Sequence, residues 1–161
     1  MMSPEQETGL IGERWVIKEL RRRGYKPEID PDFFTKNCDL RVNGLPIEVK
    51  YARPTTRKQI STSGNAIYLT RWQWSISATA AEMRGEWVCI LLAQTAKKIV
   101  PYVVPGSQIG ERSHIQITSH PDKYKGWLNR YRNAWDVIDY LSQSTYLDDG
   151  PTYEQWSRVA A

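Results

Sequence analysis

With 161 residues, 40% apolar and 25% charged, the chain has the size and balance of one ordinary globular domain able to bury a core. No run of about 18 apolar residues exists to span a membrane. Glu5, Glu7 and Glu13, with no basic segment leading into an apolar one, argue against a signal peptide, and a cytoplasmic location is the expectation. Cys38 and Cys89 are too few to define a disulfide framework, and both sit in apolar runs where a reduced cysteine serves as a small hydrophobe.

The net charge is +4 and the pI about 9.1. Residues 97–135 hold seven Lys or Arg against two acids, and residues 136–161 hold five acids against Arg158 alone. A field segregated in this way can steer a charged ligand, and it is equally compatible with a solvated surface.

The first predicted element is a helix over residues 4–23. Ser3-Pro4-Glu5-Gln6 supplies an N-cap serine, a proline at the first helical position and a glutamine three residues after the cap. Arg21, Arg22 and Arg23 suit the negative end of the helix dipole, and Gly24 closes it. Leu10, Val16, Ile17 and Leu20 form the apolar stripe, with Trp15 to one side. Residues 25–30 suggest a short strand.

Two alternating runs then flank Asn43-Gly44, the strongest short hairpin signal because both turn positions require positive φ. A two-residue loop pairs Val42 with Leu45, Arg41 with Pro46, Leu40 with Ile47, and Asp39 with Glu48. Burial selects this register, because Leu40, Val42, Leu45, Ile47 and Val49 then share an apolar face. Asp39 and Glu48 share the other, with Lys50 two residues along.

Residues 52–66 are polar and turn-rich. Residues 67–76 favour strand, since Tyr68, Trp72, Trp74 and Ile76 share one parity. A short helix is expected from Ser77 to Arg84, ended by Gly85. Residues 87–93 form a continuous apolar run suited to a strand buried on both faces, and Pro101 moves its partner, residues 99–104, towards an edge. Ile115-Gln116-Ile117 suggests a further strand. Tyr124, Leu128, Tyr131, Trp135, Ile138 and Leu141 predict one long helix over residues 121–142, usable as core or as a dimer surface. One domain over residues 1–145 is expected, followed by a tail or short docked helix over 146–161.

Like charges directly opposite in a sheet destabilise it, and a divalent cation between Asp39 and Glu48 reverses that sign. Two carboxylates, with the Val49 carbonyl, are the hard oxygen ligands that Mg²⁺ prefers. Lys50 is placed to orient a water or to stabilise transition-state charge on a phosphate. Glu13 interrupts the buried stripe of the first helix with no cation at helix-neighbour spacing. It calls for a partner from elsewhere, either a metal site on the adjoining sheet or a distant Arg or Lys.

An acid in helix one, then Asp, then Glu-x-Lys across a hairpin resembles the PD-(D/E)XK (restriction-endonuclease-like) nuclease superfamily. The layout from Gly12-Glu13 through Ile47-Glu48-Val49-Lys50 is most similar to archaeal-type Holliday junction resolvases and Mrr-like endonucleases, and small homing endonucleases of the superfamily are comparable in size. The resemblance covers about the first 95 residues. It implies an α/β fold with an α-β-β-β-α-β core, a mixed central sheet flanked by helices, and a C-terminal helix beyond.

The same resemblance implies Asp39 and Glu48 as metal ligands, Lys50 as the catalytic lysine and Glu13 as an assisting acid. Mg²⁺ is the expected cofactor, with Mn²⁺ as its substitute. Cys38 stands where the family's proline would be, and no Gln-x-x-x-Tyr follows Lys50, which disfavours the exonuclease branch. Arg53, Arg57, Lys58 and Arg71 are expected phosphate contacts, and Gln59 a contact to the backbone or the nucleophilic water. Lys123, Lys125, Arg130 and Arg132 form a second basic set. The expected function is a DNA endonuclease acting on double-stranded or branched DNA as a homodimer or larger assembly. The alternative is a nuclease-fold protein that binds nucleic acid without cutting it. His114 and His120 do not suit a histidine-based nuclease, and no Gly-Lys-Ser/Thr phosphate loop is present.

Overall fold

Helix α1 spans Pro4–Arg22, and its end is built as the sequence predicts. Gly24 adopts φ +92°, Tyr25 N–H donates to the Leu20 carbonyl at 2.9 Å and Gly24 N–H to Arg21 at 3.0 Å, the paired bonds of a Schellman motif. Val16 and Leu20 are fully buried, and Trp15 packs against Trp135 with ring centroids 6.2 Å apart. The structure, a computed structural model, describes residues 3–29, 40–76 and 85–144 together with Tyr153 and Gln155. Asp39, Cys38, the helix expected over 77–84 and most of the segment after 144 lie outside the described residues.

Among the described residues, five strands form the central sheet: β1 (Glu28–Ile29), β2 (Leu40–Val42), β3 (Leu45–Ala52), β6 (Val88–Gln94) and β7 (Ile99–Pro105), in the order β1-β2-β3-β6-β7. Only β3 and β6 run parallel, so the sheet is mixed. The hairpin register is the expected one: Val42 pairs with Leu45, Arg41 with Pro46 and Leu40 with Ile47. Asn43 and Gly44 both take positive φ, 53° and 79°. Strand β6 is buried from Val88 to Ala93, and β7 lies at the edge, where Pro101 removes no ladder bond that the sheet needs.

A second, antiparallel sheet has the order β4-β5-β8, from β4 (Thr55–Ile60), β5 (Ala66–Ser75) and β8 (His114–Ile117). Strand β4 corrects the expectation of an irregular stretch over 52–66. Every residue of β4 is exposed, so it carries no alternation from which a strand could be read. At the base of β5, Trp72, Trp74 and Ile76 are buried with Ile115 and Ile117 of β8. Two indole N–H groups fasten this sheet to the first. Trp72 donates to the Gln94 carbonyl at 2.8 Å and Trp74 to the Leu92 carbonyl at 3.0 Å.

The long helix expected over 121–142 is replaced by three pieces: a turn near residues 121–123, a 3₁₀ turn at Trp127–Tyr131 and helix α3 at Asp136–Ser144. The short α2 (Gly106–Ile109) lies earlier, directly after β7. Asn133 at φ 54° breaks the path, and Asn133 N–H bonds instead to the Pro101 carbonyl at 2.9 Å. The apolar positions are nevertheless core: Leu128, Tyr131, Trp135, Ile138 and Leu141 are all buried. Tyr153 packs its ring on Tyr131 and Tyr140 and donates to Asp136 at 2.7 Å. Among the described residues, no helix is long and apolar enough to cross a membrane.

Candidate active site

Strand β3 sorts its residues by parity. Ile47, Val49 and Tyr51 lie on one side, and Glu48 and Lys50 on the other. Helix α1 crosses the first side at very close range. A Cβ on Gly12 would stand 2.9 Å from Tyr51 Cβ and 3.4 Å from both Val49 Cγ1 and Leu92 Cδ1. Only glycine permits this approach, and it brings the next residue, half-buried Glu13, to the border of the cleft over β3.

That cleft, about 520 Å³ and open to solvent, is lined by Glu13, Glu48, Val49 and Lys50, by Thr8 and Gly9 of α1, and by Gln73 and Ser75 of β5. Glu48 is 6% exposed, and Lys50 Nζ stands 3.2 Å from its Oε1. A carboxylate this deep requires charge or donors close by, and Lys50 supplies one such partner. Glu5 also lines the cleft, so among the described residues three acids and one cation line it, in a chain whose net charge is +4. Among the described residues, no three His, Cys, Asp or Glu side chains are grouped closely enough to hold a metal ion.

The structure thus brings together Glu13, Glu48, Val49 and Lys50 of the expected set. Asp39 falls outside the described residues. The five expected DNA contacts do not line the cleft. Arg53 places its guanidinium 5.9 Å from the ring centroid of Tyr51, a cleft-lining residue. Arg57, Lys58 and Gln59 are exposed on β4, and Arg71 on β5 pairs with Thr55. Gln73 and Ser75 line the cleft without having been expected from the sequence. Their alternation with Trp72, Trp74 and Ile76 was the available signal, because it puts them on the face opposite the core.

Away from the cleft, part of the late basic set is structural. Asp122 accepts from Arg132 at 2.7 Å, with Lys98 at 3.5 Å and His120 at 3.7 Å. The Arg132 hydrogen bond, reinforced by these charges, holds the Asp122 carboxyl below its usual range. Arg132 also donates to the Pro121 carbonyl at 2.9 Å, which leaves it committed to this loop.

No protein-family model matches the chain, and no curated protein matches it in sequence. Its architecture, a mixed five-stranded sheet with α1 on one face and a C-terminal helix, is a nuclease-like α/β fold. The same fold is found in a bacterial homing endonuclease, I-Ssp6803I, whose solved structure superposes with a TM-score of 0.56 at 17% identity over 92% of this chain and 100% of that one.

Proposed function

We propose that the chain is a metal-dependent DNA endonuclease that hydrolyses phosphodiester bonds at the Glu48–Lys50 cleft, in a site of the PD-(D/E)XK type. The observation that carries this reading is the nearly buried Glu48 with Lys50 Nζ 3.2 Å away, in a cleft that Glu13 borders from another element. An acidic cleft on a basic chain favours a cation inside it and a polyanion across it. The fold shared with a bacterial homing endonuclease supports the same reading by analogy.

The donor set suits Mg²⁺, or Mn²⁺ in its place, because carboxylate and carbonyl oxygens are hard ligands. Glu48 and the Val49 carbonyl would hold the ion together with Asp39, the ligand expected from the sequence, with Glu13 assisting. When bound, the ion supplies Lewis-acid charge at the phosphate and makes water a stronger nucleophile. Glu48 holds the Lys50 ammonium at the cleft. From there Lys50 donates to a non-bridging phosphate oxygen as negative charge builds during attack. Gln73 and Ser75, across the cleft, offer neutral donors to the DNA backbone. In the overall reaction a water oxygen bonds to phosphorus, one ester P–O bond breaks, and the departing oxygen ends protonated. Cutting both strands calls for two such sites, so a homodimer or larger assembly is part of the proposal.

The test uses plasmid, hairpin and four-way-junction DNA with Mg²⁺. Wild type should cut at least one of them, and Lys50→Ala should lower the rate on the order of 10²-fold or more while still binding. Ca²⁺ should support binding without turnover. A wild-type chain that binds DNA and cuts none of the three with Mg²⁺ or Mn²⁺ would leave the non-cleaving alternative in its place.

A further inference from the structure

Strands β4 and β5 leave the body of the molecule as a two-stranded ribbon. All of β4, and β5 from Ala66 to Leu69, is exposed on both faces. Its tip is nevertheless ordered by its own bonds, with Ser61 N–H donating to the Asn65 carbonyl at 2.8 Å and Gly64 N–H to the Ser61 carbonyl at 2.9 Å. A projecting pair of strands that buries nothing gains little stability from its own contacts. Its composition points to an occupant. Residues 53–76 contain Arg53, Arg57, Lys58 and Arg71 and no acid.

Register fixes which face meets the cleft. Of the β5 residues that line the cleft, Trp74 is buried and Gln73 and Ser75 are exposed, and Arg71, Leu69 and Ile67 follow that exposed pair on the same face. Their partners there are Thr55, Arg57 and Gln59. That face therefore offers two guanidinium forks, which match guanine, an amide that matches adenine, and apolar side chains suited to the thymine methyl. Leu69 and Ile67 are 39% and 44% exposed, so both are available for such contact.

We propose that this ribbon lies in the major groove of duplex DNA and reads base edges beside the cleft. The inference rests on DNA as the ligand of the cleft and adds the element that confers sequence preference. A major groove admits a two-stranded ribbon. Six paired residues extend about 20 Å, which matches about six base pairs at 3.4 Å each. A second copy of this chain is the poorer occupant, because two acid-free ribbons meeting would set like charges together.

The experiment binds wild type and an Arg57→Ala/Gln59→Ala variant to a 30-base-pair duplex library with a randomised centre, in Ca²⁺, and sequences the bound fraction. Wild type should show a block of about four to six adjacent base pairs with preference, each discriminated about 5- to 100-fold, as a bidentate contact gives. The variant should lose preference within that block and keep it elsewhere. Leu69→Ala provides a second arm. Replacing thymine by uracil in the block should weaken wild type several-fold and leave Leu69→Ala indifferent. Thermal melts within a few degrees of wild type identify folded variants, as expected for exposed positions. Uniform weakening with an unchanged preference profile overturns the inference and reduces the ribbon to phosphate contacts. A lower mass in sedimentation with unchanged preference overturns it in favour of a contact between copies. A chain whose preference depends on the ribbon and which never cuts keeps this inference and loses the nuclease reading. One that cuts with a preference blind to the ribbon does the reverse.

Discussion

Tyr102 shows how a single polar atom bears on stability. Its side chain is fully buried in β7 against Trp74, with ring centroids 6.4 Å apart, and its hydroxyl has no hydrogen-bond partner among the described residues. Leaving a buried hydroxyl unsatisfied costs about 1–3 kcal/mol. Tyr102→Phe removes that cost and keeps the ring, so the variant is expected to be as stable as wild type or about 1 kcal/mol more stable in urea unfolding. Burial also pushes the Tyr102 phenol up to about 12. A group whose folded pKa is raised contributes stability in full below its unfolded value, near 10 for tyrosine, and loses it as pH rises towards the folded one. Wild type should therefore lose thermal stability between about pH 10 and 12, and Tyr102→Phe should lose less of it. A variant that is clearly less stable at neutral pH would show that the hydroxyl has a partner after all.

Among the elements, the contact between α1 and β3 sets the cleft. Gly12→Ala would place a methyl 2.9 Å from Tyr51 Cβ, so the helix must lift or tilt. Overpacking of this kind costs about 1–3 kcal/mol. It also moves Glu13 relative to Glu48, so the DNA cleavage proposed for this cleft should fall more than stability alone explains. Gly9→Ala, with open space around its added Cβ, is the control and should stay near wild type in thermal melts. The approach at Gly12 was not legible in the sequence, because glycine at a helix position gives no sign of what lies opposite. The hairpin was legible down to its register, since Asn43-Gly44 and the alternation of Leu40, Val42, Leu45 and Ile47 all specify one pairing. The late helix misled for the converse reason. Tyr131, Trp135 and Ile138 recur at helical spacing because each is buried, although the chain reaches them through a 3₁₀ turn and a left-handed Asn133. Periodicity reported burial there, and the conformation came from tertiary contacts. Strand β4 was hidden because an exposed ribbon has no buried side to alternate with.

At the scale of the whole molecule, the cleft and the ribbon depend on how two sheets are held together. Glu48 and Lys50 belong to the five-stranded sheet, and Gln73, Ser75 and the ribbon belong to the three-stranded one. Two indoles contribute to that fastening. Trp72 and Trp74, two residues apart on β5, donate to Gln94 and Leu92, two residues apart on β6. Trp74 also packs on Tyr102 of β7, with ring centroids 6.4 Å apart, so a hydrogen bond and packing act at the same point. Trp72→Phe/Trp74→Phe keeps aromatic bulk and deletes both donors. Each lost bond should cost about 0.5–1.5 kcal/mol, with a further cost from the smaller rings. The distribution of that loss tells more than its size. If the second sheet opens as its own unit, amide exchange should quicken in β5 and β8 and leave the central strand β6 as protected as in wild type. The proposed DNA cleavage should then fall even where the five-stranded sheet is intact, because Gln73 and Ser75 no longer line one cleft with Glu48. Equal loss of protection in β5, β8 and β6 would instead mean that the two sheets unfold as one cooperative body, with the tryptophans contributing to global stability alone.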